Sequence, residues 1–228
     1  MNLNQISNLQ YLSTINHKNL ALNTLNQLLS YHIENNNFKK ANLLSYWFED
    51  FCKYNLAEEK FNPRLLKRYK RGSVIKVNLG FNVGNEEGGL HYCIVLDKSN
   101  ALSSGTLTVI PLTSKKENKQ YNNSTVNLGN EIYLNLKKIC DNAYLNQKIL
   151  DSNPQKSDFD INLKYFEKLQ NEILKMKKGS IALVSQITTI SKQRIYDPKT
   201  SFDILSNLRV SNHTLDLIDT KIKELFIK

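Results

Sequence analysis

Between Gly72 and Gly129 short apolar runs alternate with glycine-bearing turns, and no stretch in between has room for a helix. Val74, Ile75, Val77 and Leu79 form one run, Tyr92-Cys93-Ile94-Val95-Leu96 a second, and Leu107-Thr108-Val109-Ile110-Pro111-Leu112 a third. Thr125-Val126-Asn127-Leu128 is a short fourth, and Ser180-Ile181-Ala182-Leu183-Val184 a fifth, far downstream. Short runs rich in β-branched residues read as strands. Gly84, Gly88, Gly89, Gly105 and Gly129 lie between them, where turns favour residues without a Cβ. Successive short strands with no helix between them predict a small antiparallel barrel in an α+β chain.

The flanks read as helix. Leu20, Leu22, Leu25, Leu28 and Leu29 are spaced mainly at three and four. Phe38, Ala41, Leu44, Trp47, Phe48 and Phe51 repeat that spacing after the polar break Asn35-Asn36-Asn37. The pattern predicts an antiparallel helical hairpin over residues 1–60, with Trp47 in its core and an end at Asn62-Pro63. Residues 131–178 return to helix. Ser157 or Asp158 can cap a helix that turns Ile161, Phe166, Leu169, Ile173 and Met176 inward and stops at Gly179. Ser211-Asn212 can cap a last helix with Leu215, Ile218, Ile222, Leu225 and Phe226 inward.

Composition narrows the class. The chain has 228 residues, 40% of them apolar, which is enough for a packed core. It lacks a run of about 18 apolar residues, so no membrane span is expected. The start MNLNQISNLQ has no basic stretch leading into an apolar one, so no secretory leader is expected. Cys52, Cys93 and Cys140 lie far apart without a CxxC. That argues against a disulfide framework and a zinc site, and points to a reducing, cytoplasmic setting. The net charge of +10 favours an anionic partner, either nucleic acid or an acidic protein. Only five of the 31 basic residues are Arg, however, and so much Lys beside abundant Asn and Ile equally fits an AT-rich coding bias. The charge is also spread out, about +4 over 1–70, +2 over 71–130 and +4 over 131–228. The one dense run, Arg64-Leu65-Leu66-Lys67-Arg68-Tyr69-Lys70-Arg71, reads as a solvated linker or a phosphate-contacting stripe, the linker being favoured.

The first place for chemistry is Gly84-Asn85-Glu86-Glu87-Gly88-Gly89-Leu90-His91-Tyr92. Three glycines in six residues mark a backbone with unusual turns, and the missing GxxxxGK[ST] spacing excludes a phosphate loop. His91 stands just before a buried-looking strand, where an imidazole either moves protons near neutral pH or merely packs. Glu86 and Glu87 are candidate acid/base groups, but adjacent turn residues point apart and at least one is expected to be solvated. Pro111-Leu112-Thr113-Ser114-Lys115-Lys116 gathers hydroxyls and ammonium groups at a strand end, which suits phosphate contacts. His17, His32 and His213 sit in helical segments without partners at metal spacing and read as structural.

Together these pieces resemble the MazF/PemK toxins. Arg71-Gly72-Ser73-Val74-Ile75, then Val83-Gly84-Asn85-Glu86-Glu87-Gly88-Gly89, then Cys93-Ile94-Val95-Leu96 are similar to that family's RGD-V, VGSEQGG-RP and VLVI motifs. Val109-Ile110-Pro111-Leu112-Thr113-Ser114 looks like its V-PLTS, and the stretch from Ser180 to Ile195 looks like its S-VL-EQIRTIDK-RL. The resemblance covers roughly 72–130 and 179–228. It divides the chain into a helical N-terminal extension, 1–70, and a barrel domain, 71–228, with a helical insertion at about 131–178.

The resemblance implies an SH3-like barrel with a C-terminal helix, a homodimer, and the toxin of a type II toxin–antitoxin pair. It implies an endoribonuclease needing no metal or cofactor, which cuts single-stranded RNA at short sequences, and an acidic antitoxin as partner. In that chemistry the ribose 2′-hydroxyl attacks the adjacent phosphate and leaves a 2′,3′-cyclic phosphate and a 5′-hydroxyl. The family's catalytic Thr falls on Thr113, its catalytic Arg on His91, and the Pro that commonly follows on Tyr92. Two readings of that departure stand. His91 takes over proton transfer, since imidazole is a better base than guanidinium near neutral pH though a weaker grip on phosphate. Otherwise cleavage is lost and binding kept. The intact Thr113, Ser114 and glycine turn favour the first. Implied RNA contacts are Glu86, Gly88, Gly89, Ser114, Lys115, Lys116, Gln186 and Arg194, with Gln186 near the dimer or substrate groove and Arg194 a phosphate contact or an ion pair. Because this barrel also serves toxins that poison DNA gyrase without any nuclease, a non-catalytic protein- or RNA-binding module is the alternative. The net basic residues 1–70 suit extra dimer surface, a lid or a partner-binding segment better than a fused acidic antitoxin.

Overall fold

The computed structural model describes the backbone of residues 3–150 and 156–227, and the side chains of 8–143 and 164–227. The chain divides into two compact units, Met1–Leu56 and Ala57–Lys228. Among the described residues no helix is long and apolar enough to cross a membrane.

The first unit is a helical hairpin, α1 (Leu3–Glu34) and α2 (Phe38–Ala57). Asn36 takes a left-handed φ of 59°, which Asn tolerates better than most residues, and this reverses the chain. The Asn36 and Asn37 amides then donate back to Ile33 O and His32 O at 3.0 and 2.8 Å. Little of the expected core forms. Ala41, Leu44 and His32 are buried, whereas Leu20, Leu22, Leu28, Phe38 and Phe51 are exposed and Leu25 and Leu29 half-buried. The reason is geometric: two helices share one seam, and apolar residues off that seam, such as Leu20 and Leu22 two positions apart, have nothing to pack on. Trp47 is half-buried, its ring 6.0 Å from that of Phe51 and 6.5 Å from that of Tyr54 on the same helix.

The basic run before the sheet is not a free linker. Tyr69 is fully buried and its hydroxyl donates to Pro198 O at 2.7 Å. The Lys67 amide donates to Lys199 O at 2.9 Å, the Lys67 ammonium to Ser206 O, and Arg71 to Leu96 O and Asp219. These bonds strap the run onto the second unit. The Lys67 and Arg71 charges are spent on backbone carbonyls and Asp219, which the sequence pattern could not show, while Arg64, Arg68 and Lys70 are exposed.

The second unit is built on seven antiparallel strands: β1 (Val74–Asn78), β2 (Leu90–Val95), β3 (Thr106–Ser114), β4 (Thr125–Gly129), β5 (Ser180–Leu183), β6 (Thr188–Ser191) and β7 (Ile195–Asp197). Their order is β4-β5-β3-β2-β1-β7, with β6 also paired to β3. β3 organises the sheet. Residues 109–111 pair with β2, 106–109 with β6 and 112–114 with β5, so β6 and β5 follow one another along the same edge of β3. The expected closed barrel does not form: β4 and β7 end the order and do not pair with each other. β7 is only three residues long, and Pro198, which has no N–H, ends it. At the other end β4 packs against the C-terminal helix α5 (Asn212–Phe226). What stands is an open, bent antiparallel sheet with helices, and the SH3-like closure is corrected to that.

Both faces of this sheet are apolar. Val74, Ile94, Ile110 and Leu112 face a core completed by α3 (Glu131–Leu150), α4 (Lys156–Met176) and α5 through Ile132, Leu136, Leu169, Met176, Leu215 and Ile218. Ile75, Val77, Cys93, Val95, Leu107 and Val109 face a second core with Tyr69, Leu79, Ile190 and Ile195. The alternation along each strand produces both cores at once.

Helix ends follow the sequence in part. The Ser211 hydroxyl accepts from Thr214 N at 3.2 Å and caps α5 as expected. Leu225 and Phe226, expected inward, are 39% and 58% exposed, because the last turn runs beyond the core that holds Ile218. α4 begins at Lys156, so Ser157 and Asp158 lie inside it, and their side chains, like that of Ile161, fall outside the described residues. Leu169 and Met176 are buried, and Phe166 and Ile173 half-buried. Gly179 has φ +79°, and a Cβ there would lie 2.8 Å from Gly129 O, so only glycine can pass at the end of α4.

Candidate active site

The glycine turn between β1 and β2 is fastened at both ends. Gly89 N donates to Gly80 O at 2.5 Å and Leu79 N to Gly89 O at 2.7 Å. A Cβ on Gly88 would lie 2.8 Å from Gly80 O, so glycine is required by contact there. At Gly89, with φ +84°, it is required by conformation. Asn82 Nδ2 donates to Glu87 O at 2.7 Å, and Val83 N donates to Glu86 Oε2 at 3.4 Å. The Glu86 side chain thus folds back on its own turn.

Gln186, in the turn joining β5 to β6, locks this loop from outside. Its Oε1 accepts from Glu87 N and its Nε2 donates to Asn85 O, each at 3.2 Å. Between the loop and the β5–β6 turn lies a cleft of about 350 Å³, walled by Glu86, Glu87, Gln186, Thr188 and Arg194 with Pro111 among its lining. Arg194 donates from Nε to Asn78 O at 2.8 Å, so its plane is fixed against the end of β1.

His91 opens β2 beside this cleft. Its Nδ1 lies 3.1 Å from Leu112 O and its Nε2 3.1 Å from Glu87 Oε1. A carbonyl oxygen only accepts, so a hydrogen bond to Leu112 O needs a proton on Nδ1. A carboxylate also only accepts, so one to ionised Glu87 needs a proton on Nε2. Doubly protonated, the ring donates to both oxygens; singly protonated, it donates to one of them. Both ring nitrogens face protein oxygens, so proton exchange with a substrate at either one requires that contact to open. Cys93, two residues on and buried, donates weakly to His91 O at 4.0 Å. Burial pushes its thiol far up, helped by nearby Glu87 and opposed by Arg194, so it stays neutral.

Thr113 is half-buried on β3, opposite Ile181 of β5. The β2–β3 pairing ends at Cys93 and Pro111, and His91 and Thr113 each lie two residues beyond that pair on the two neighbouring strands. Ser114, Lys115 and Lys116 follow on the exposed end of β3 and beyond it. Lys115 N donates to Gly179 O at 3.1 Å. Tyr121, which the sequence did not single out, accepts from Lys116 N at 2.8 Å and donates to Ser114 O at 3.2 Å. The structure therefore brings Glu86, Gln186 and Arg194 to one cleft. His91 adjoins it through its contact with Glu87, Gly88 and Gly89 belong to the turn beside it, and Thr113 and Ser114 lie on β3 outside its lining. Lys115 and Lys116 extend from that strand and are not among the residues lining the cleft.

Tyr92 points to the other face of β2 and meets a different cluster. Tyr92 and Lys76 are cross-strand partners, and Asp197 is Lys76's partner on β7. Glu172 of α4 closes the row: Lys76 Nζ donates to it at 3.1 Å, Lys175 Nζ at 2.7 Å, and the Tyr92 hydroxyl donates to its other oxygen. Burial works to raise the Glu172 carboxyl, but the hydrogen bonds from Lys175, Tyr92 and Lys76 win and hold it below its usual range. Burial, then the Glu172 contact, pushes the Tyr92 phenol far up. Burial raises Asp197 as well, against a hydrogen bond from Leu205 N. Each of the two departures from the toxin motif thus has its own partner, Glu87 for His91 and Glu172 for Tyr92.

Residues 70–147 match a family profile described as the PemK-like, MazF-like toxin of type II toxin–antitoxin systems. The match takes in β1 to β4 and most of α3, and ends before β5, Gln186 and Arg194. No curated protein matches the chain. The matched segment carries the glycine turn, His91 and Thr113, and over it the chain is similar to the PemK-like, MazF-like toxins of type II toxin–antitoxin systems.

Proposed function

We propose that the protein is the toxin of a type II toxin–antitoxin pair and acts as a metal-independent, sequence-selective endoribonuclease on single-stranded RNA. The observation that supports this reading is His91, its ring held between Leu112 O and Glu87 beside the glycine turn, on the strand next to that of Thr113. The 2′-oxygen attacks phosphorus and its proton leaves to water in the cleft. The P–O5′ bond breaks, and the 5′-oxygen takes a proton from the His91 imidazolium. The Thr113 hydroxyl and the imidazolium charge offset the charge gathering on the phosphorane oxygens. Glu86, Gly88 and Gly89 shape the RNA-facing turn, Gln186 holds it, and Ser114, Lys115, Lys116 and Arg194 supply phosphate contacts. In this reading the domain runs over 71–228 with 1–70 an extension, and the protein is a cytoplasmic homodimer whose basic surface takes an acidic antitoxin, as the likeness to the toxin family suggests. Incubating the purified protein with a long RNA in EDTA tests this. Discrete fragments with 5′-hydroxyl ends support it, and intact RNA points instead to a binding module on the same scaffold.

A further inference from the structure

Glu87 and His91 are four residues apart. Along a continuous strand that spacing would hold them about 13 Å apart. They touch because Gly88 and Gly89 turn the chain back, Gly88 fitting only without a Cβ and Gly89 adopting a left-handed φ. Glu87 is then held twice through its backbone, its N–H by Gln186 Oε1 at 3.2 Å and its carbonyl by Asn82 Nδ2 at 2.7 Å. With the backbone fixed, the carboxylate reaches His91 Nε2 at 3.1 Å, and both side chains are only 26% exposed. On the opposite side Leu112 O holds Nδ1 at 3.1 Å. The ring therefore has an acceptor at each end and one orientation.

We propose that Glu87 is the positioning residue of His91: its carboxylate fixes the ring beside the cleft and, as an opposite charge in contact, favours the protonated ring, so that His91 serves as a proton donor. This rests on the ribonuclease reading for its consequence in catalysis, but not for the pairing itself. Glu87 is not a second proton carrier across the reacting phosphate. Attacking and leaving oxygens lie on opposite sides of phosphorus, and two groups in direct contact cannot flank it. The other charged or titratable groups nearby are Glu86 on the same turn, Arg194 in the cleft that Glu87 lines, the neutral Cys93 thiol two residues along β2, and Lys115 and Lys116 just past the end of β3. Among the described contacts Glu87 is the carboxylate that reaches the ring.

The test uses the full chain with its histidine side chains isotopically labelled, and His91 identified by the signal lost in H91Q. The ring is titrated by NMR in wild type, E87Q, E87D and the distant control E59Q. Removing an opposite charge in contact lowers the pH at which an imidazolium gives up its proton by about one unit at a partly exposed site. E87Q is expected to move the His91 midpoint down by that amount and leave His17, His32 and His213 unmoved. E87D is expected to recover part of the shift, and E59Q to resemble wild type. The alkaline limb of the pH–rate profile for RNA cleavage is expected to move by the same amount, about a tenfold loss at a fixed pH beyond it. An unchanged His91 midpoint in E87Q overturns the proposal, with or without cleavage. A shifted midpoint in a protein whose wild type leaves RNA intact upholds the pairing and removes the ribonuclease reading instead.

Discussion

Replacing Glu172 with Gln removes the anion around which Lys76, Lys175 and Tyr92 converge. The Lys76 and Glu172 side chains are 11% and 13% exposed, so the pair is effectively buried. Removing one partner of such a pair costs about 3–5 kcal/mol, because a charge is left buried without its counter-ion. Here the lower end applies, since Asp197 lies across the ladder from Lys76 and the rings of Tyr92 and Tyr196 lie 5.1 and 5.6 Å from its ammonium. The Lys175 contact adds little, because that side chain is 52% exposed. A loss of about 3 kcal/mol in a unit of this size lowers Tm by roughly 6–12 °C. The only Trp, Trp47, is in the other unit, so unfolding of the sheet must be followed by calorimetry or tyrosine signals. The pH dependence has a definite sign. Because the folded state holds the Glu172 carboxyl below its usual range, its contribution is present above the ordinary carboxylate range and lost as pH falls through the folded value. The gap between wild type and E172Q should be constant near neutrality and shrink in acid. Replacing Glu172 by Leu and Lys76 by Met together should cost far less than E172Q alone. A neutral-pH gap below about 0.5 kcal/mol, or one undiminished in acid, refutes the reasoning.

Two further changes probe the turn. Gly88→Ala drives a Cβ toward Gly80 O, the acceptor for Gly89 N, and should cut RNA cleavage by at least tenfold. Gly84→Ala, with open space but φ +64°, should cost only about 1 kcal/mol of stability in thermal melts and leave most activity. Gln186→Ala removes both bonds that hold the loop from outside, and amide exchange over 82–89 should quicken about tenfold while the rest of the sheet keeps its protection.

The strands and most helix ends were legible because each rests on local chemistry. Alternating apolar residues, Ser211 as a cap and Gly179 as a stop all act within a few residues of chain. What stayed hidden depends on contacts far apart in sequence. Whether the sheet closes is decided at its two ends, where β7 stops before Pro198 and β4 packs against α5, and the second of these is not written in any local pattern. Lys67 and Arg71 read as linker charges because their acceptors, Ser206 O and Leu96 O with Asp219, lie elsewhere in the fold. The hairpin's apolar spacing overstated its core, since periodicity reports a face and not what lies against it. At the site, the motif marked His91 and Thr113, but Glu86 and Glu87 read only as a turn pair of which at least one is solvated. The spacing of Glu87 from His91 gains meaning only once the backbone reversal at Gly88 and Gly89 is known.

The ribonuclease reading meets its most direct test in mapping RNA ends. A defined RNA is incubated in EDTA with wild type and with His91→Ala, and the products are read by primer extension and end chemistry. The account predicts discrete cuts at recurring short sequences with 5′-hydroxyl and 2′,3′-cyclic phosphate ends, and a loss of at least a hundredfold in H91A. RNA left intact by the wild type, or cut equally well by H91A, would contradict it.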